Sequence, residues 1–344
     1  MMLRPTRMAA MIGVAALSLA ACASGSNSPA TSATGQASAG VQFVQKNPLK
    51  IGYSVYDMQS PYWQAFAKGV KDEGAAQHAE IVIADQKSSE QKQVSGSSDL
   101  INQGVSALII TPVQPAALPA TITQAHAAKI PVIIGDIGTA PGYDAYILSD
   151  NYGGGKMAAE YLIKKVGAEP GTHKVGVIQL HSGSVVGEQR VAGFVDRIAK
   201  ESNFKVVSSL DGKDTVEGGF STTQDMLAAN PDLVGIYAAN DPEAQGAARA
   251  LEAAGKYRAG SKFLLVGFNG DSPSLDLIDQ GKQTATVAQD PYGQGRLAVK
   301  TALALLQKKT PKFTNAADRV IQFPVQVVDA ANIAAFRATL AKQG

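Results

Sequence analysis

From Leu49 onward the chain alternates short, continuous apolar runs rich in β-branched residues with longer stretches in which apolar positions recur every three or four residues. The short runs, at 50–55, 81–85, 107–111, 131–135, 145–149, 174–180, 204–210, 233–238, 262–267 and 284–288, predict strands. The helical period between them predicts helices near 62–77, 89–103, 115–128, 152–166, 187–201, 217–229, 242–254 and 291–307. Runs with no polar face belong to strands covered on both sides, which is the situation of a parallel sheet between helix layers. The pattern therefore predicts an α/β protein built from βα units. By itself it leaves open one closed barrel or two doubly wound domains.

The first forty residues follow another rule. Met1–Arg7 carries Arg4 and Arg7 and no acid, and Met8–Ala21 is an apolar run of 14 residues. That is shorter than the roughly 20 residues a membrane-spanning helix needs, and it has the layout of a secretory signal. Leu19-Ala20-Ala21-Cys22 follows and resembles the bacterial lipobox, which implies cleavage before Cys22 and acylation of its thiol. Two or three acyl chains anchor a protein stably where one does not. Ala23–Gly40 is almost wholly Ala, Ser, Gly and Thr and reads as a flexible tether. The expected division is a signal over 1–21 and a tether over 22–47, with ordered structure from about Pro48.

Composition narrows the function. Of 344 residues, 45% are hydrophobic and 17% charged, so a core-burying protein is expected. The formal charge of +2 includes Arg4 and Arg7; without them 29 basic residues face 29 acidic ones. A neutral mature chain with no basic run interleaved with aromatics is a poor nucleic-acid binder. Cys22 is the single cysteine, so an internal disulfide is excluded.

Seven landmarks in order resemble the ribose-type (type I) periplasmic binding proteins across Lys50 to about Val328. They are Ser60-Pro61-Tyr62-Trp63, Pro131 through Asp136, Ser149-Asp150-Asn151, Arg190 before Gly193-Phe194, Ala239-Asn240-Asp241, Val266 through Gly270, and Ala285 through Gln289. The resemblance implies two doubly wound parallel-sheet lobes, three chain crossings and a ligand held between the lobes. The crossings are expected near 150–151, 289–290 and 321–324. Lobe one is then 50–150 plus 290–321, and lobe two 151–289 plus 322–330.

A sugar or sugar alcohol needs partners for its hydroxyls and flat apolar surface for its C–H faces. The resemblance assigns ring walls to Tyr62 and Trp63, and hydroxyl-binding groups to Asp136, Asn151, Arg190, Asn240, Asn269 and Gln289. Asp136 stands at the carboxyl end of a strand, where open α/β sheets bind ligands. Asp150 is expected to bond backbone, and Asp241 to cap a helix with Pro242 at its first position. Three positions depart from the family: Ile137 replaces a common arginine, Asn269 a common aspartate, and Asp214 falls near a usual aromatic. They indicate a retuned sugar-like pocket, and the missing arginine leans toward an acyclic or smaller polyol.

Other chemistries find little support. Gly153-Gly154-Gly155-Lys156-Met157-Ala158 fits a dinucleotide fingerprint, but it lies deep in the alternating region and no acid ends the next strand; a glycine hinge opening a lobe-two helix explains it better. There is no G-x-S-x-G and no H-E-x-x-H, and the four histidines are scattered. His78 and His126 read as exposed helix residues, and His181 as a loop residue near the ligand. No cofactor, metal or catalysis is expected. A repressor-type sensor would share the fold but carry a DNA-binding helix pair where this chain has the lipobox. The expected role is a lipid-anchored, monomeric binding protein on the outer membrane face or in the periplasm, handing its ligand to an ABC permease and its ATPase. The alternative is a signalling or chemotaxis receptor for a furanose-like autoinducer.

Overall fold

The computed structural model describes residues 41–138, 141–257 and 262–343. The first sheet is built from β1 (Lys50–Val55), β2 (Glu80–Asp85), β3 (Ala107–Ile110), β4 (Val132–Gly135) and β5 (Ala145–Ser149), with α1 (Pro61–Ala76), α2 (Glu90–Asn102) and α3 (Leu118–Ala127) between them. The chain then leaves for α4 (Asn151–Val166), β6 (His173–Gln179), α5 (Val185–Ile198), β7 (Phe204–Asp211), α6 (Val216–Ala229) and β8 (Leu233–Ala238). The second sheet is completed through α7 (Asp241–Ala253), β9 (Leu264–Asn269), α8 (Ser272–Asp279) and β10 (Ala285–Ala288). Helix α9 (Pro291–Leu306) returns to the first lobe, and β11 (Val320–Phe323), β12 (Gln326–Asp329) and α10 (Ile333–Gln343) follow.

The two sheets have the same strand order, β11-β5-β4-β3-β1-β2 and β12-β10-β9-β8-β6-β7. Two doubly wound sheets therefore replace the barrel that periodicity alone allowed. Every pairing is parallel except that of β12 with β10. The runs that predicted strands are the buried centres of these sheets: Leu108, Ile109, Ile110, Val132, Ile133 and Ile134 have no exposed surface.

Two boundaries differ from expectation. Gln322 and Phe323 pair with Leu148 and Ser149 in the first sheet, so the third crossing falls between Phe323 and Gln326 and the 321/322 division shifts. Residues 41–47, expected to belong to the tether, sit against the first lobe: Val44 N donates to the Lys129 carbonyl and Lys46 N to Ser106 Oγ. The expectation for Cys22, the signal and Ala23–Gly40 lies outside the described residues. Helices α8 and α10 were not anticipated. The first is only eight residues long, and the second lies beyond the last landmark.

Helix packing within each lobe follows one device. Helices α4 and α5 touch backbone to backbone, and a Cβ on Gly155 or Gly193 would stand 1.9–2.0 Å from a carbonyl oxygen of the other helix. Gly69 and Gly295 meet in the same way on α1 and α9. The glycine triplet at 153–155 thus has a structural use: Gly153 N is capped by Asp150 Oδ1, and Gly155 admits α5. Forcing a methyl group into such a contact costs about 1–3 kcal/mol. Gly193→Ala should lower the urea midpoint correspondingly; an unchanged midpoint would contradict the close-approach account.

Candidate functional site

Carboxyl ends of strands from both sheets converge where the chain crosses between lobes. Asp136 follows β4 with a left-handed backbone (φ 61°), and Asn269 ends β9 at φ 137°, the equivalent place in the other sheet. Non-glycine residues rarely take such angles, and when they do they cluster at functional sites. Asp136 is fixed by its own N–H on the Ile147 carbonyl and by the Tyr146 hydroxyl on its carbonyl.

A hydrogen-bond chain runs from one lobe to the other. The Tyr62 hydroxyl donates to Asp136 Oδ1 at 2.8 Å. Its oxygen also lies 3.4 Å from Gln289 Oε1, but a phenol has one proton and the shorter contact takes it. Gln294 Nε2 donates to both the Tyr62 hydroxyl (3.2 Å) and Ser149 Oγ (3.1 Å). Ser149 Oγ donates to Gln289 Oε1 at 2.7 Å, and Gln289 Nε2 to Asn269 Oδ1 at 2.9 Å. Arg190 then completes the path, its Nη1 donating to Asn269 Oδ1 at 3.3 Å.

Arg190 is 5% exposed and held by neutral groups. Its Nε donates to Asn151 Oδ1, its Nη1 also to the Ala239 carbonyl, and the guanidinium lies 3.9 Å over the Phe268 ring. Burial pushes its pKa down, while Tyr237 and Asp136 oppose that shift. Burial likewise raises the pKa of Asp136, against the Tyr62 hydrogen bond and the Arg190 charge. The two lobes thus present opposite charges to each other without an ion pair.

The other assigned residues divide by what their polar atoms already hold. Asn151 is 2% exposed, and besides accepting from Arg190 it donates to the Ser149 carbonyl, so it orients the guanidinium. The cap expected of Asp241 is made by Asn240 instead. Asn240 Oδ1 accepts from Glu243 N and caps α7, because its extended backbone places it one residue ahead of the helix. Asp241 is fully buried and accepts from Gly270 N, Asp271 N and Thr286 Oγ1, pinning the loop after β9. Among the described residues Asn240 Nδ2 keeps its donors. Asp150 caps α4 as expected.

Tyr62 is half-buried and reaches the network, whereas Trp63 is 7% exposed. Trp63 stacks on Tyr56 at 5.4 Å and meets Tyr62 edge-on at 4.7 Å, within the lobe-one core. Ile137 packs against that same core. Asp214 pairs with His181 on the rim of the second lobe. His126, expected on an exposed surface, is half-buried and bonded to Asp144.

Sequence reasoning missed Ser149, Gln294 and Glu243. Gln294 had a signal: Asp290-Pro-Tyr-Gly-Gln-Gly repeats Asp150-Asn-Tyr-Gly-Gly-Gly at the other crossing, with glutamine where Gly154 stands. Glu243 is fully buried; its Oε1 accepts from Asp214 N, and its Oε2 has no hydrogen-bond partner among the described residues. Burial pushes its pKa up to about 8, with Asp214 and Asp211 adding repulsion. A groove of about 390 Å³ beside α5, lined by His181, Ser184, Glu188 and Asp211 among others, includes none of the network residues.

The periplasmic binding protein domain model matches residues 51–310. The chain is 31% identical over 265 residues to the ribose import binding protein of Bacillus subtilis, covering 77% of this chain and 84% of that protein. It is 33% identical over 251 residues to a D-ribose/D-allose-binding protein of Pseudomonas aeruginosa, covering 69% of this chain and 74% of that protein. Among solved structures, an ABC transporter solute binding protein from Mycobacterium smegmatis with bound glycerol superposes with a TM-score of 0.69 at 29% identity, over 83% of this chain and 96% of that one.

The buried carboxyl of Glu243 gives a pH signature. Its folded pKa stands above the unfolded value, so the folded chain keeps a proton that the unfolded chain has released. Stability from that proton is present at low pH and lost as pH rises toward 8. Between about pH 4.5 and 8 Glu243 contributes at most about −1.4 kcal/mol per pH unit, and buried Asp241, pushed up to about 7, adds a share of the same sign. Glu243→Gln should make the slope shallower in urea titrations at several pH values. A wild-type slope retained in the variant would place the proton elsewhere.

Proposed function

The chain belongs to the periplasmic binding protein family, and from that premise we propose that it captures a sugar or sugar alcohol between its two lobes and delivers it to an ABC importer. The observation that carries this reading is the unbroken polar path from Asp136 through Tyr62, Gln294, Ser149, Gln289 and Asn269 to Arg190. A ligand seated along it touches both lobes, so its binding free energy favours the closed arrangement over the open one.

The charge layout suits an uncharged, many-hydroxyl solute. Asp136 accepts hydroxyl protons, Arg190 and Asn240 donate, and the opposed charges compensate each other across a neutral molecule. A ligand with its own net charge would leave one of them unbalanced at a buried site. Relatives named for ribose and allose, and a structure holding glycerol, support this class. Ile137, which brings no donor, favours a smaller or acyclic polyol. The reading is of binding without catalysis: ligand contacts fall to Tyr62, Asp136, Arg190, Asn240, Asn269 and Gln289, with an edge of Trp63 beneath Tyr62.

The family is extracytoplasmic, and no helix among the described residues is long and apolar enough to cross a membrane. We further propose that Cys22 is the acylated N-terminus of a monomer that meets a permease and its ATPase at the membrane. Ribose, allose, arabinose, myo-inositol and glycerol should be titrated by calorimetry, with saturable binding expected from at least one. Asp136→Ala should weaken that binding by about 1–3 kcal/mol, five- to 150-fold. A loss below twofold would remove Asp136 from the site.

A further inference from the structure

The pole of lobe one opposite the crossings carries a concentration of positive charge that ligand binding does not use. Strand starts and helix ends meet there. Lys46 precedes β1, Lys129 precedes β4, and Lys308, Lys309 and Lys312 follow α9. Lys129, Lys308, Lys309 and Lys312 are exposed, and none of the five has a carboxylate within 4 Å among the described residues. Asp144 is buried and engaged by Arg319 and His126, and Glu80 is engaged by Lys50. The chain that leads from Cys22 arrives at this same pole. Val41, Gln42 and Phe43 line one groove with Lys308, Lys309 and Arg319, Val44 bonds the Lys129 carbonyl, and the Val44 side chain is 45% exposed.

We infer that this pole is an electrostatic docking surface for anionic lipid headgroups. A protein whose mature charge is zero has no general attraction to a membrane, so unneutralised lysines gathered at one end act as an orienting patch. Each lysine near an anionic surface strengthens binding by about fivefold, and the effect decays within a Debye length of about 8–10 Å. The chain outside the described residues ends on this patch. Only eighteen residues separate Cys22 from Val41, so an anchor at Cys22 would keep this pole of the lobe near the headgroups. With this pole on the lipid, the ligand cleft faces away from the membrane, and engaging a permease requires the patch to let go.

The orientation argument rests on the acylated-cysteine reading, but the patch can be measured without it. The mature chain carrying Cys22→Ser, and therefore unable to be acylated there, is floated with vesicles of phosphatidylcholine alone or with 30% phosphatidylglycerol. Binding is expected only to the phosphatidylglycerol vesicles and is expected to vanish in 1 M salt. Lys308→Gln, Lys309→Gln and Lys312→Gln together should weaken it about a hundredfold, while arginine at the same three positions retains it. Lys164→Gln, Lys200→Gln and Lys205→Gln on lobe two, which remove the same charge, should leave it unchanged. Equal loss from both glutamine triples, or no vesicle binding by the parent chain, overturns the inference. The mass of the native N-terminal peptide tests acylation separately.

Discussion

A guanidinium with almost no contact with water governs the centre of this molecule. An isolated buried charge is costly, and Arg190 is tolerable only because Asn151, the Ala239 carbonyl, Asn269 and the face of Phe268 surround it. Each of those partners lies at a point where the fold is constrained. Asn151 opens the helix after the first crossing, Ala239 directly follows a strand, and Asn269 holds a backbone angle few side chains accept. The opposing charge, Asp136, belongs to the other lobe. Satisfying one cation therefore ties both sheets and two crossings to a single geometry.

That dependence explains why polar residues sit where a simpler core would place leucine. Ser149 and Gln289 stand at the first two crossings, and Gln294 bridges between Ser149 and Tyr62. Networks of this kind specify one arrangement when their members are satisfied. Here a few atoms keep unspent capacity, among them Gln294 Oε1 and the Tyr237 hydroxyl. The lobes themselves are stiffened by glycine-mediated helix contacts, which leaves the crossings as the places where motion can be absorbed.

Much of the fold was legible because buried parallel strands are continuous apolar runs, and nearly every run marked a strand. Choosing two lobes over a barrel needed the landmark residues, since period carries no information about closure. Asp136, Arg190 and Gln289 could be assigned from strand ends and resemblance. The cap at Asn240 rather than Asp241 could not: both residue types cap helices, and only the backbone angle decides which is the cap. Gln294 and Glu243 lie inside helices, where an isolated polar residue looks like a solvated face. The segment 41–47 was misread because its seat is assembled from residues distant in sequence, Ser106 and Lys129 as well as Lys308 and Arg319.

The placement of β11 and β12 bears on the order in which the protein is made. Each sheet takes its last strand from the short segment 320–329, after every other strand of both sheets. The first lobe therefore keeps an unfinished edge until all of the second lobe's other strands have been made, and the two sheets are closed by one stretch of chain, nearly together.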